Sequence, residues 1–262
     1  AGWPPILAFI ASGVITGVLA FLIGLPVLRF KELFLALVTI GFGIMFFVLV
    51  IQQADITGGP GGFSEIPPFS IGSLVFKGEM ENYYLIWFAA LLSIFFVINL
   101  LSSRIGRALE TLRSSEIAAK SMGINVFALK MKAFVFAGVL AGIGGSLYAF
   151  QTSFISPYTF EVMHSITYLT VVVVGGLRSV WGSLIGAFIV TVMGEGLNHL
   201  LPMIIPDAGG ELQVIAYGFL LVLVLLFIPS GFGPTIAQWI KKYFNKSPDM
   251  YSLDASKAKK SV

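Results

Sequence analysis

Seven stretches of this 262-residue chain stay apolar for close to the length a helix needs to cross hydrocarbon. They run about Pro5–Leu25, Leu33–Gln53, Tyr83–Leu101, Ala133–Phe150, Met163–Gly176, Trp181–Leu197 and Leu212–Ile228. Most approach the roughly 20 residues that span a bilayer core. The fifth, at about 14, also fits a re-entrant or broken helix. Composition points the same way. The chain is 57% hydrophobic and 11% charged, against roughly 25% charged in soluble domains. A soluble fold with so little charge could not cover its surface, and disorder requires low hydrophobicity. The expected fold is all-α, a polytopic transmembrane helix bundle of about seven membrane segments.

Several chemistries are excluded at once. There is no cysteine, so disulfides, iron–sulfur clusters and thiolate zinc sites are out. The two histidines, His164 and His199, lie too far apart for an H-E-x-x-H metal site. No G-x-x-x-x-G-K-[ST] loop is present, so the chain is not expected to hydrolyse ATP. No catalytic residue, metal or cofactor is expected. The net charge of +3 does not indicate nucleic acid, because the charge is sorted by membrane side.

That sorting sets the topology. With all seven segments crossing and the first loop cytoplasmic, the inner side holds Arg29, Lys31, Arg104, Arg107, Arg113, Lys120, Lys130, Lys132, Arg178 and every lysine from Lys241 onward. Of the 16 basic residues, Lys77 alone falls outside. The outer loops collect Asp55, Glu65, Glu79, Glu81, Glu161, Asp207 and Glu211. This is the positive-inside pattern. Were the fifth segment to dip in and return, the basic tail would be left outside. The same topology places Ala1 outside without a signal peptide or initiator Met, which leads to the expectation of at least one more segment upstream. Residues 1–240 read as the transmembrane domain, and 241–262 as a basic, disordered cytoplasmic tail able to touch anionic lipid.

The outer loop Ala54–Asn82 carries Thr57-Gly-Gly-Pro-Gly-Gly-Phe63, which is turn chemistry. It reads as a surface loop or, alternatively, as a docking surface or lid for something arriving from outside. Small residues recur four apart at Gly13/Gly17, Gly138/Gly142 and Gly182/Gly186. In lipid this spacing lets helix backbones approach closely, and packing within the bundle is the expectation.

The informative segment is the inner loop, residues 102–132. Ile105, Ala108, Leu109 and Leu112 follow helical spacing among Arg104, Arg107, Glu110 and Arg113, as in an amphipathic interfacial helix. A second short helix follows. Ser114 or Ser115 can cap it, and Glu116 in its first turn and Lys120 near its end suit the helix dipole. Ala118 and Ala119 favour the helix, and Gly123 can take the left-handed position that stops it. The product is a stiff peg about two turns long, whose alanines leave room for another surface to approach. It either packs on its own bundle or couples mechanically to a partner.

Glu116-Ile-Ala-Ala-Lys-Ser-Met-Gly123 resembles the EAA loop of ABC-importer permeases. Ile117 stands where the general pattern has its glutamate, and Glu116 comes one place earlier. Ser103-Arg-Ile-Gly-Arg-Ala-Leu109, Ser115-Glu-Ile-Ala-Ala119, Met122-Gly-Ile-Asn125, Leu35-Ala-Leu-Val-Thr-Ile-Gly41, Ile56-Thr-Gly-Gly-Pro60 and Val174-Gly-Gly-Leu-Arg-Ser-Val-Trp-Gly182 resemble the branched-chain amino acid permease family of the LivM type. The resemblance covers roughly Leu25 to Phe232, without the family's usual early helices. It implies a permease subunit, not an enzyme, in a bacterial or archaeal plasma membrane. Its implied partners are a second permease, two cytoplasmic ATPases that hydrolyse ATP and an extracytoplasmic solute-binding protein. The implied coupling residues are Arg113, Glu116, Ala118, Ala119 and Gly123.

Polar groups inside the segments are few. Glu195 lies near the outer end of the sixth segment and Asn99 near the inner end of the third. Both are candidates for the translocation path, with an interfacial carboxylate and an interhelical hydrogen bond as the alternatives. The expected function is ATP-driven import of leucine, isoleucine and valine. The same machinery carrying urea, short amides or other amino acids is the near alternative. An ion-gradient-driven secondary transporter would need intramembrane carboxylates, of which Glu195 is the one candidate.

Overall fold

The computed structural model describes residues 4–30, 32–71, 74–76, 78–177, 179–204, 218–219 and 232. The described elements are α1 (Pro5–Val27), α2 (Glu32–Gln52), α3 (Ala54–Thr57), β1 (Phe63–Ser64), β2 (Ser70–Ile71), β3 (Leu74–Val75), α4 (Glu79–Ser102), α5 (Arg104–Ser114), α6 (Glu116–Ser121), α7 (Val126–Thr152), β4 (Phe154–Ile155), α8 (Val162–Gly175) and α9 (Val180–Ile204). Short 3-10 turns fall at Gly59–Gly61 and Pro157–Phe160. The chain divides into two compact units, Ala1–Ser165 and Ile166–Val262.

Helices stand at six of the seven expected segments. Among the described residues four are long and apolar enough to cross a membrane: Pro5–Val27, Phe34–Gln52, Glu79–Ser102 and Val126–Thr152. The fifth segment takes the broken or re-entrant form that its length allows, bent sharply against the sixth. Pro157–Gly175 turns by 119° into Val180–Gly196, so the pair reads as one broken span or a re-entrant loop. Length is the physical reason. The 14 residues of α8 rise only about 21 Å, short of the ~30 Å hydrocarbon core. The seventh segment, apart from 218–219, and the basic tail lie outside the described residues, as do Lys31, Lys77 and Arg178.

In the first unit the dominant packing is α1 against α7, and glycine makes it possible. The helices run antiparallel. A Cβ at Gly17 would lie 2.8 Å from Val139 Cγ2, and one at Gly24 2.9 Å from Met131 Sδ. A Cβ at Gly138 would lie 2.6 Å from Ala20 Cβ, and one at Gly142 would strike the Thr16 hydroxyl. The Ser12 hydroxyl, 2.7 Å from Phe9 O, also lies 3.2 Å from Gly142 O on the facing helix. The four-residue spacings Gly13/Gly17 and Gly138/Gly142 therefore serve packing within the bundle. Lipid supplies no hydrophobic drive between helices, so close fit and interhelical polar contacts must hold this pair. By contrast α4 has no buried residue, and α2 exposes Phe34, Leu37, Ile40, Ile44 and Phe46. Such surfaces are tolerable because their solvent is apolar.

The outer loop is a built structure. β1 pairs antiparallel with β4, Phe63 opposite Ile155 and Ser64 opposite Phe154, and β2 pairs with β3, Ser70 opposite Val75. Gly62, at φ 67°, lies so near Ile155 O that a Cβ would collide with it. Phe69 is 4% exposed, with its ring 5.6 Å from Phe9, 5.8 Å from Phe76 and 5.4 Å from Phe150. This aromatic cluster seats the loop on one end of the α1–α7 pair. Short strand pairs satisfy loop backbone that turn residues alone leave open.

In the second unit Gly182 and Gly186 again permit close approach. A Cβ at Gly186 would meet Val171 O, and Gly175 and Gly182 would obstruct each other in the same way. Val174 and Val190 are buried there beside Val171, Ile189 and Phe232. Gly176, at φ 107°, makes the turn, and Ser179 Oγ accepts from Gly182 N–H at 3.0 Å to start α9.

Candidate functional site

The inner loop opens with a sharp corner. Ser103 caps α5, its Oγ accepting from Ile105 N–H at 3.1 Å. Gly106 is buried, and any Cβ there would collide with the Leu101 backbone, so α5 folds tightly back on the end of α4. Along α5, Ile105, Ala108, Leu109 and Leu112 are half-buried while Arg104, Arg107, Glu110 and Arg113 are exposed. This is the two-faced helix expected from the spacing.

One residue separates α5 from the peg, α6. Of the two candidate caps the structure uses Ser115, whose Oγ accepts from Ala118 N–H at 3.2 Å. At the other end Gly123 adopts φ 74°. Gly123 N–H donates to Lys120 O at 3.0 Å, and Ile124 N–H to Ala119 O at 3.1 Å. These two bonds are the Schellman pattern, which satisfies carbonyls left open at a helix end. Asn125 Oδ1 then accepts from Ala128 N–H at 3.0 Å and starts α7. Peg, turn and α7 are thus joined by a continuous run of hydrogen bonds through Met122, Gly123, Ile124 and Asn125, which stiffens the junction.

Electrostatics bind the peg from the side. Glu116 Oε1 lies 2.9 Å from Lys120 Nζ on its own helix, and Glu116 Oε2 lies 2.9 Å from Lys130 Nζ on α7. Lys130, then Lys120, hydrogen-bond to the Glu116 carboxylate and lower its pKa from the ordinary 4.5 to about 2. Glu116 therefore stays ionised throughout the physiological range. Lys130 was not anticipated as a functional residue. The one available signal was its charge, and nothing local shows which acid it meets.

The alanines part company. Ala118 is half-buried, but Ala119 is fully buried. The expectation that both leave room for a partner is corrected for Ala119, which faces inward. The outward face of the peg instead carries Ile117, 79% exposed, and Met122, 70% exposed. Beside it runs an open groove of about 450 Å³, lined by Arg107, Glu110, Thr111, Ser114, Ala118 and Met122 among others. Arg113 is exposed and has no ion pair among the described residues. Asn99 is exposed on α4, its carbonyl accepting from the Ser102 hydroxyl at 3.1 Å. Glu195 is exposed on α9. Neither takes part in the peg.

Comparison with known proteins fits this architecture. Residues 1–228 match the family described as the permease component of branched-chain amino acid transport systems. The high-affinity branched-chain amino acid transport system permease proteins LivM of Salmonella typhimurium and Escherichia coli are each 30% identical over 253 residues. Those alignments cover 88% of this chain and 57% of each relative. The chain thus spans little more than half the length of these relatives. A probable branched-chain amino acid transport permease protein LivM of Methanocaldococcus jannaschii is 25% identical over 235 residues, which is 87% of this chain and 68% of that protein. No solved structure matches at a significant level. The chain is a multi-pass membrane protein and belongs to the family of permease components of branched-chain amino acid transport systems.

Proposed function

We propose that this chain is the membrane-spanning permease subunit of an ATP-driven importer that moves leucine, isoleucine and valine into the cell by alternating access. The observation that carries the reading is the peg. It is capped at both ends, tied to α7 and presents two large apolar side chains, Ile117 and Met122, where a partner can meet them. A rigid element of this kind can pass on a rigid-body movement, which a loose loop cannot. Under this reading residues 102–132 are cytoplasmic and the peg sits in a cleft of an ATPase subunit. Ile117, Met122, Ala118 and Arg113 make the contact, while Glu116, Ala119 and Gly123 hold the peg in shape. Hydrolysis takes place on two ATPase partners, a second permease completes the pore, and an extracytoplasmic binding protein delivers cargo. Residues 241–262 form a cytoplasmic tail, which takes the bent pair Pro157–Gly175 and Val180–Gly196 as a re-entrant loop or two crossings rather than one span. Glu195 and Asn99, polar groups within the apolar segments, are assigned to the translocation path. The names of the LivM relatives support the cargo, and the side preference of the basic residues supports the orientation.

Uptake tests the reading. The chain, with its partner permease, ATPases and binding protein, is reconstituted into vesicles and given labelled leucine, urea or acetamide. ATP-dependent leucine accumulation is expected. Preference for urea or the amide would move the cargo to the neighbouring class. Uptake driven by a proton or sodium gradient without ATP would replace the mechanism. A single cysteine at Met122 of this cysteine-free chain should react with an impermeant maleimide only from the inner side. Labelling from outside intact cells would reverse the topology and remove the ATPase contact.

A further inference from the structure

We propose that Lys130 is a positioning residue that clamps the peg to α7, so that the peg, α7 and α1 move as one body during transport. The proposal rests on the coupling role assigned to α6 above and adds the route by which movement leaves it. The Glu116–Lys130 pair, 2.9 Å apart, is a side-chain bond from the peg to α7, and the lysine is only 27% exposed. Next along α7, Met131 is 6% exposed, and its sulfur sits against Gly24 of α1. Adjacent residues of a helix point about 100° apart. The same turn of α7 therefore holds the peg with one side chain and α1 with the next. Val126 and Leu129 are buried around this point, and the turn between peg and α7 is closed by the Gly123, Ile124 and Asn125 hydrogen bonds. At the far end of the same helix pair Phe69 joins Phe9 of α1 to Phe150 of α7. A displacement of the peg is thus delivered along α7 and α1 together rather than absorbed at the loop.

Two measurements on the whole reconstituted complex test this. First, Lys130→Gln should lower leucine uptake per ATP hydrolysed by about two- to fivefold, the scale of one partly exposed ion pair, while the ATPases still co-purify. Lys130→Arg, which keeps the charge opposite Glu116, should restore the ratio. A wild-type ratio in Lys130→Gln overturns the proposal. Second, cysteines at Glu116 and Lys130 are joined by a short bifunctional maleimide. A clamp that never opens predicts that the unlinked cysteine pair shares the loss of Lys130→Gln and that the link brings back the wild-type ratio. Loss of transport on linking would mean that α6 and α7 must separate, which also overturns the proposal, and this readout needs no folding of the Lys130→Gln variant. Failure of the ATPases to co-purify with the unsubstituted chain is a different result. It would remove the coupling role of α6 itself.

Discussion

Glu116 and Lys130, 14 residues apart in sequence, meet at 2.9 Å across the boundary between the peg and α7. The pair gives the glutamate of this EAA-like segment an intrachain task. It also explains how a six-residue helix, too short to be stable alone, keeps one orientation.

The pair carries a definite pH dependence. The carboxyl is lowered from 4.5 to about 2 when folded. A depressed folded pKa contributes stability that is present above the unfolded value and is lost as pH falls through the folded one. The stability difference between the natural chain and Glu116→Gln should therefore be flat from pH 5 to pH 8, and should shrink below about pH 4.5. With the carboxylate 39% exposed, the plateau should be about 0.2–1 kcal/mol. Thermal unfolding in detergent across this range measures it. A difference that rises or falls between pH 6 and pH 8 would mean that another group governs the contact.

Substitutions in the peg should separate its two faces. Ile117→Arg leaves the buried side untouched and is expected to abolish co-purification of the ATPases without changing the melting temperature. Ala119→Arg places a charged chain at a fully buried position and should unseat α6, lowering both association and stability. Gly123→Pro forbids φ 74° and removes the N–H bonded to Lys120 O, so it should behave like Ala119→Arg. Wild-type association and uptake in all three would eliminate the peg as the coupling element.

The α1–α7 pair should be intolerant of bulk. Gly142→Val drives new carbon atoms into Thr16 and the Ser12 carbonyl. Overpacking of this kind costs about 1–3 kcal/mol, visible as a lower melting temperature and reduced accumulation. Gly41→Ala in α2 meets nothing within 4 Å and should be neutral or slightly stabilising through helix propensity. Equal behaviour of the two variants would contradict the close packing.

The outer loop should depend on one ring. Phe69→Ala removes a nearly fully buried aromatic side chain, a change that costs about 3–5 kcal/mol in a packed site. Hydrogen exchange and protease cutting should rise within 54–76 and stay unchanged at α5 and α6. Protection equal to that of the natural chain would show that strand pairing alone seats the loop.

Much of this architecture was legible residue by residue, because the physics involved is local. Hydropathy marks Pro5–Leu25 or Tyr83–Leu101 as membrane helices within a single segment. Ser115, Glu116, Lys120 and Gly123 announce the peg and its stop, since capping and dipole effects act within one turn. The small-residue spacing at Gly138 and Gly142 announced a close helix contact, but not its partner. That partner, α1, was decided by tertiary structure, as were the inward turn of Ala119, the bent pairing of α8 with α9 and the strand formed with Phe154 and Ile155. Lys130 is the sharpest instance. Its charge is plain in the chain, yet its meaning depends on how α7 is rotated against α6, an angle set by side chains such as Met131 fitting Gly24 on a helix more than a hundred residues earlier. Local forces select the elements. Which face of each element is used depends on the fit among all of them, and no short window of sequence contains that fit.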